Sequence, residues 1–188
     1  GYKFNCYVLD AGISGDSEAA KSVASHLGVS LKVVKVTKED VKKAIPILVE
    51  SLATYNNSII VGALCTYFIS KAAAKDGLKV LLFGDGADEI FAGYDRYKKS
   101  EHVEEVQKLL IRDQKRLWLT QNKRLDHASM AVSIEARVPF QDLNVVMNSR
   151  DIPITKKVDK QNKLKDKIIL REISSKYLPA NIASRKKC

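Results

Sequence analysis

Along the first half of the chain, apolar positions switch between two periods. Phe4 to Leu9 (Phe-Asn-Cys-Tyr-Val-Leu) is a short run rich in β-formers, stopped by Asp10-Ala11-Gly12, and it predicts a buried strand. From about Asp16 the period lengthens. Ala19, Ala20, Val23, Ala24 and Leu27 form one helical stripe, with Asp16 expected as the N-cap and Gly28 as the stop. Leu31 to Val36 reads as a second strand. Thr37 followed by Asp40 marks a helix start, and Val41, Ala44 and Ile45 begin an apolar face. Pro46 is expected to interrupt this helix or open a new one. Ser58 to Lys75 is apolar on most sides, which predicts a buried helix ended by Gly77, and Lys79 to Phe83 predicts a third strand.

Strands alternating with helices predict an α/β fold, an open parallel sheet with crossover helices. Past residue 95 the pattern changes. Val103, Val106, Leu109, Leu110 and Leu117 recur at helical spacing over 101–118, and further helices are expected near 124–134, 142–149 and 163–177. No later segment reads as a strand. The expected organisation is therefore an α/β part over 1–95 and a C-terminal helical layer over 96–188.

Composition narrows the setting. The 188 residues are 45% hydrophobic and 29% charged, enough apolar material for a core and too much for disorder. No run reaches the roughly 18 consecutive apolar residues of a membrane span, so the chain reads as soluble, with no membrane partner. Cys6, Cys65 and Cys188 lack metal-ligand spacing. The first two, in apolar runs, read as buried free thiols of a reducing cytoplasm. The net charge of +10 suits a polyanion, either a nucleotide polyphosphate or a nucleic acid, and does not decide between them. His26, His102 and His127 have no partner at metal spacing and read as surface or packing residues.

The segment after the third strand carries the chemistry: Phe83-Gly84-Asp85-Gly86-Ala87-Asp88-Glu89-Ile90-Phe91-Ala92-Gly93-Tyr94. In an open parallel sheet, ligands gather beyond the C-terminal strand ends. Gly84 and Gly86 would let backbone approach a nucleotide or take positive φ. Asp85, Asp88 and Glu89 gather carboxylates that can hold Mg²⁺ on phosphates. Pattern alone leaves a second reading open, a glycine turn whose acids are favoured by a helix N-terminus.

This segment resembles the Ser-Gly-Glu-Gly-(Ala/Ser)-Asp-Glu-x-Phe-(Gly/Ala)-Gly-Tyr signature of asparagine synthetases and their β-lactam synthetase relatives. The run from Asp126 through Ser129-Met130-Ala131, Glu135 and Arg137-Val138-Pro139-Phe140 to Asp142 resembles the family's Asp-x-x-Ser-Met-Ala-x-x-x-Glu-x-Arg-Val-Pro-Phe-Leu-Asp. The tail, from Lys165 through Leu170-Arg171 and Leu178-Pro179 to Arg185-Lys186-Lys187, is similar to its Lys-x-x-Leu-Arg, Leu-Pro and Arg-x-Lys series.

The resemblance implies an adenine nucleotide alpha-hydrolase-like fold and an ATP-dependent amide-forming ligase. Such an enzyme activates a carboxylate, by default aspartate, as an acyl-adenylate with release of pyrophosphate. Ammonia or another amine then attacks. By motif position, Asp88 would help hold Mg²⁺ on the pyrophosphate, Asp85 would manage the proton of the amine, and Lys187 would stabilise phosphate charge. Gly84, Gly86 and Leu9 would line the nucleotide. Glu135 and Arg137 would form part of the site wall, although a structural ion pair is an equal reading. A glutaminase domain or subunit supplying ammonia, and a homodimer, are admitted. A tRNA-modifying ATP pyrophosphatase, or a degenerate binding domain, would share the sheet. Neither added cysteines nor an RNA-binding domain is evident, so nucleic acid is not the expected partner.

Departures from the family accompany the agreement. Nothing matches its Ser-Gly-Gly-x-Asp-Ser pyrophosphate loop. The stretch Gly12-Ile13-Ser14-Gly15-Asp16-Ser17 follows what corresponds to the family's second strand and reads as a connection into a helix cap. The expectation is that the first, central strand and its loop are missing here and that the natural polypeptide extends at both ends. Asp85 stands where the family has Glu, Phe83 where it has Ser, and Gln141 where it has Leu.

Overall fold

The computed structural model describes residues 4–12, 15–100, 102–159 and 166–185. In chain order the strands and α-helices are β1 (Asn5–Asp10), α1 (Asp16–Leu27), β2 (Ser30–Lys35), α2 (Lys38–Leu52), α3 (Asn57–Lys75), β3 (Val80–Leu82), α4 (Ala87–Phe91), α5 (Asp95–Lys99), α6 (Val103–Arg116), α7 (Lys123–Met130), β4 (Glu135–Arg137), α8 (Leu143–Arg150), α9 (Ile168–Ser174) and α10 (Ala180–Ala183). A π-turn at Trp118–Asn122 joins α6 to α7.

The chain forms two compact units that are interleaved in sequence. The first comprises 1–81, 123–136 and 178–188; the second comprises 82–122 and 137–177.

In the first unit, β1 and β2 pair in parallel, from Asn5 beside Ser30 to Asp10 beside Lys35, with α1 as the crossover. Gly28 closes α1 in the left-handed conformation, as expected. The N-cap is Gly15, not Asp16, because the Asp16 carboxylate instead accepts a 2.6 Å bond from Arg185. Thr37 and Asp40 form a reciprocal capping box at the start of α2.

Pro46 does not interrupt α2. Ala44, Leu48 and Leu52 lie on its buried face while Pro46 faces solvent, so core burial outweighs one lost backbone bond. Asn56 caps α3 by accepting bonds from the N–H groups of Ser58 and Ile59. In length and composition α3 could cross a membrane, yet it packs against α2, α7 and β1 and buries Ile60, Ala63, Tyr67 and Phe68 in the core. Burial is less complete than expected: Val61 and Cys65 are exposed, and Cys6 is half-buried, so neither thiol is a core residue.

The described strands make two two-stranded sheets, β1–β2 and β3–β4, where a single open sheet was expected. The α/β class holds, with helices predominating. β4 was not foreseen. Three residues with charged ends carry no strand signature, and the segment is extended because it meets β3: Glu135 N–H donates to the Lys79 carbonyl and Phe83 N–H to the Arg137 carbonyl, each at 2.8 Å.

The second unit has its own core, in which Ala92, Tyr97, Val106, Leu110 and Val158 are buried together. α6 spans Val103–Arg116 within the expected 101–118. Of the expected 163–177 helix, Ile168–Ser174 is helical, and 163–165 lie outside the described residues.

Candidate functional site

β3 delivers the chain to Gly84, which is exposed, and to half-buried Asp85. Gly86 then turns at φ +97°, and a Cβ there would lie 2.6 Å from Cγ of Gln141. Both facts demand glycine. By contrast, a Cβ on Gly84 would meet nothing within 4 Å, so its backbone borders open space.

α4 is a single turn that carries Asp88. Ala92 ends it at φ +60°, and Gly93 N–H donates to the Asp88 carbonyl at 2.9 Å. The chain passes so close to Asp88 that a Cβ on Gly93 would overlap Oδ1 and approach Cγ to 2.7 Å. The carboxylate is thus clamped, and Lys167 pairs with it at 3.0 Å.

Glu89 points the other way. It is 3% exposed and accepts 2.7 Å bonds from the Tyr94 hydroxyl and the Gln121 amide. Burial, then the bond to Glu89, pushes the Tyr94 hydroxyl pKa up, so it stays a donor. The expected trio of carboxylates therefore reduces to Asp85 and Asp88. Gln141 and Asn122 exchange amide bonds of 2.7 and 2.9 Å, and Gln141 also donates to the Asp85 carbonyl at 3.3 Å. Downstream, Asp113 accepts from Tyr97 at 2.7 Å and pairs with Arg96 at 2.8 Å and Arg112 at 3.0 Å. Arg96 also stacks on the ring of Tyr94, 4.2 Å from its centroid. Tyr94 and Arg96 thus pack and pair within this unit.

The sequence model described as asparagine synthase matches residues 3–105 and 98–188. The chain belongs to the asparagine synthase family. It is 31% identical over 179 residues to asparagine synthetase B (glutamine-hydrolyzing) of Escherichia coli, covering 93% of this chain and 31% of the relative. It is 30% identical over 213 residues to a putative asparagine synthetase (glutamine-hydrolyzing) of Methanocaldococcus jannaschii, covering 96% and 39%. Against asparagine synthetase 2 (glutamine-hydrolyzing) of Oryza sativa it is 30% identical, covering 100% and 32%. The chain thus spans about a third of the length of these relatives.

Within this family member, Gly84, Asp85, Gly86 and Asp88 come together on one loop of the second unit. Leu9 and Glu135 belong to the first unit. Leu9, opposite Val34 in the parallel pair, packs its side chain onto the first core. Glu135 is exposed. Lys187 lies outside the described residues. Among the described residues no group of three His, Cys, Asp or Glu could hold a metal. One or two carboxylates nevertheless suit Mg²⁺, which takes most of its ligands from phosphate and water. Asp88 offers such a donor, and its pairing with Lys167 marks it as a carboxylate set to meet positive charge.

Lys167 and Gln141 were not foreseen as site residues. The signal for Lys167 was in the tail, since Lys167-Ile168-Ile169-Leu170-Arg171 itself fits Lys-x-x-Leu-Arg. Gln141 stood out only as a departure from the family's Leu.

Proposed function

We propose that this chain is the carboxylate-activating part of an ATP-dependent amide-forming ligase, with aspartate as the carboxylate and ammonia as the amine. The observation that carries the reading is Asp88, clamped by Gly93 beside the open backbone of Gly84 at the end of β3. The names of the relatives support the same reaction class.

In this reading a substrate carboxylate oxygen bonds to the α-phosphorus of ATP, and the bond to the bridging oxygen of pyrophosphate breaks. The amine nitrogen then attacks the acyl carbon and AMP departs. The Gly84 and Leu9 backbones border the nucleotide, and Gly86 shapes the turn. Asp88 and Lys187 hold the pyrophosphate end, where Mg²⁺, when bound, supplies charge that offsets the phosphate oxygens. Asp85 takes the amine proton, from a carboxylate one methylene shorter than the family's Glu. Glu135 contributes to the wall. The words "glutamine-hydrolyzing" in the relatives' names support a glutaminase domain or subunit as the source of ammonia.

The test is isotope exchange between pyrophosphate and ATP by the natural polypeptide that carries these residues. Exchange that requires aspartate, and that Asp88→Ala and Lys187→Ala each abolish, is the expected result. A folded protein showing no exchange with any amino acid would overturn the reading.

A further inference from the structure

Four charged residues are buried among the described ones, and all fall in the second unit: Glu89, Asp113, Lys157 and Asp166. Three have partners. Glu89 accepts from Tyr94 and Gln121, Asp113 pairs with Arg96 and Arg112, and Asp166 pairs with Arg171 at 2.6 Å and Lys98 at 3.4 Å. Lys157, 4% exposed, makes no side-chain hydrogen bond or ion pair with any described residue. Removal from water disfavours the charged form of its ammonium and lowers its pKa.

The backbone of Lys157 is held at both its polar groups. Its N–H donates to the Ile154 carbonyl at 2.9 Å, closing a 3₁₀ turn, and its carbonyl accepts from Ile168 N–H at 3.1 Å. The next residue, Val158, is 1% exposed in the core beside Tyr97 and Val106.

Lys157 also lines a cleft of about 620 Å³ between α6 and the segment that follows α8. This is the size range of small-molecule sites. Ile111 on one wall and Ile152 and Ile154 on the other make it apolar. Its charged lining is cationic in balance, with Lys115, Arg150 and Lys157 against Asp151. An apolar cleft with surplus positive charge, one of its cations belonging to a buried residue, is complementary to an anion with an apolar body.

We infer that this cleft binds a small organic carboxylate, its carboxylate paired with Lys157 and its aliphatic body against Ile111, Ile152 and Ile154. The site is separate from the Gly84–Asp88 loop, so the inference stands independently of the ligase reading.

The test uses the natural polypeptide and the fluorescence of bound 8-anilinonaphthalene-1-sulfonate, displaced by octanoate or by uncharged 1-octanol. Octanoate is expected to displace the probe at least about ten-fold better, a factor within what one charge-assisted contact supplies. In Lys157→Met, which keeps an unbranched apolar stem and removes the ammonium, the two should become equal. Ile111→Trp, which fills the cleft and leaves Lys157 intact, should lose displacement by both. ATP and aspartate should displace nothing. Equal displacement in the native protein, an unchanged ratio in Lys157→Met, unchanged binding in Ile111→Trp, or displacement by ATP would each overturn the inference.

Discussion

Two glycines of one loop have opposite reasons to be glycine. At Gly93 a methyl group would collide with the Asp88 carboxylate and come within 3.1 Å of its Cα, so the fold itself excludes a side chain. At Gly84 a methyl group would meet nothing, and the backbone is not at positive φ. Gly93→Ala should therefore destabilise the protein by about 1–3 kcal/mol, the usual cost of overpacking. Gly84→Ala should change stability by less than about 0.5 kcal/mol while weakening nucleotide binding. Urea denaturation and nucleotide titration of both variants separate the two effects, and a Gly84→Ala protein that binds ATP normally would remove Gly84 from the site. Asp113 adds a pH signature at the same scale. Burial alone would raise its pKa, but hydrogen bonds from Tyr97, Arg112 and Arg96 outweigh it and hold the carboxyl below its ordinary value. A carboxylate depressed on folding stabilises above its unfolded pKa of about 4, and that contribution is lost as pH falls through the folded value. Asp113→Asn should thus cost about 1–3 kcal/mol at neutral pH, with the gap from the native protein narrowing below about pH 4. A gap constant from pH 7 to pH 2 would mean that shape rather than charge matters there.

Elements were legible where a local rule and the tertiary environment agree. The Thr37–Asp40 capping box and the left-handed Gly28 each follow from residues within one turn of the feature. They were illegible where the environment overrules the local rule. Pro46 reads as a breaker but sits inside α2, held there by Ala44, Leu48 and Leu52 on the opposite face. Glu135–Arg137 is extended through pairing, and Trp118–Asn122 adopts a π-turn that no apolar period announces. That turn has consequences, because it carries Gln121 to Glu89 and Asn122 to Gln141. Pro46 offers a direct measurement. It is exposed and contributes no core packing, so Pro46→Ala restores a backbone donor and relieves the ring clash without opening a cavity. The loss of proline's restraint on the unfolded chain offsets part of that gain. A net stabilisation of about 1–2 kcal/mol is expected, read as a raised thermal midpoint. A lowered midpoint would show that α2 is bent to fit its core at that position.

At the scale of the whole chain, motif order was readable and spatial grouping was not. Gly84 to Gly93 could be read as one loop because its residues are contiguous, whereas the Lys167 partner of Asp88 and the Gln141 prop under Asp85 come from far along the chain. The same limit applies to the halves. A division at residue 95 follows the change from alternating strands and helices to helices alone, and the first core draws on residues from both sides of that position. The first core needs Ala128, fully buried against residues of α2 and α3, and Val132 beside it. The Ser51 hydroxyl donates to the His127 carbonyl at 2.9 Å, and His127 Nδ1 lies 2.6 Å from the Ser51 carbonyl, locking α7 to α2. A fragment ending at 95 lacks Ala128, Val132 and His127. The complementary fragment lacks Ala92 and Tyr94, which pack with Tyr97, Val106, Leu110 and Val158. Each half would expose apolar surface that its own residues cannot cover, at roughly 25 cal/mol for each Å² left in water. Residues 1–95 and 96–188, produced separately, should therefore melt without a cooperative transition, while the natural polypeptide that carries both melts sharply by circular dichroism. A sharp melt from 1–95 alone would show that β1, β2, α2 and α3 suffice for a core, and that α7 is an addition to it rather than a part.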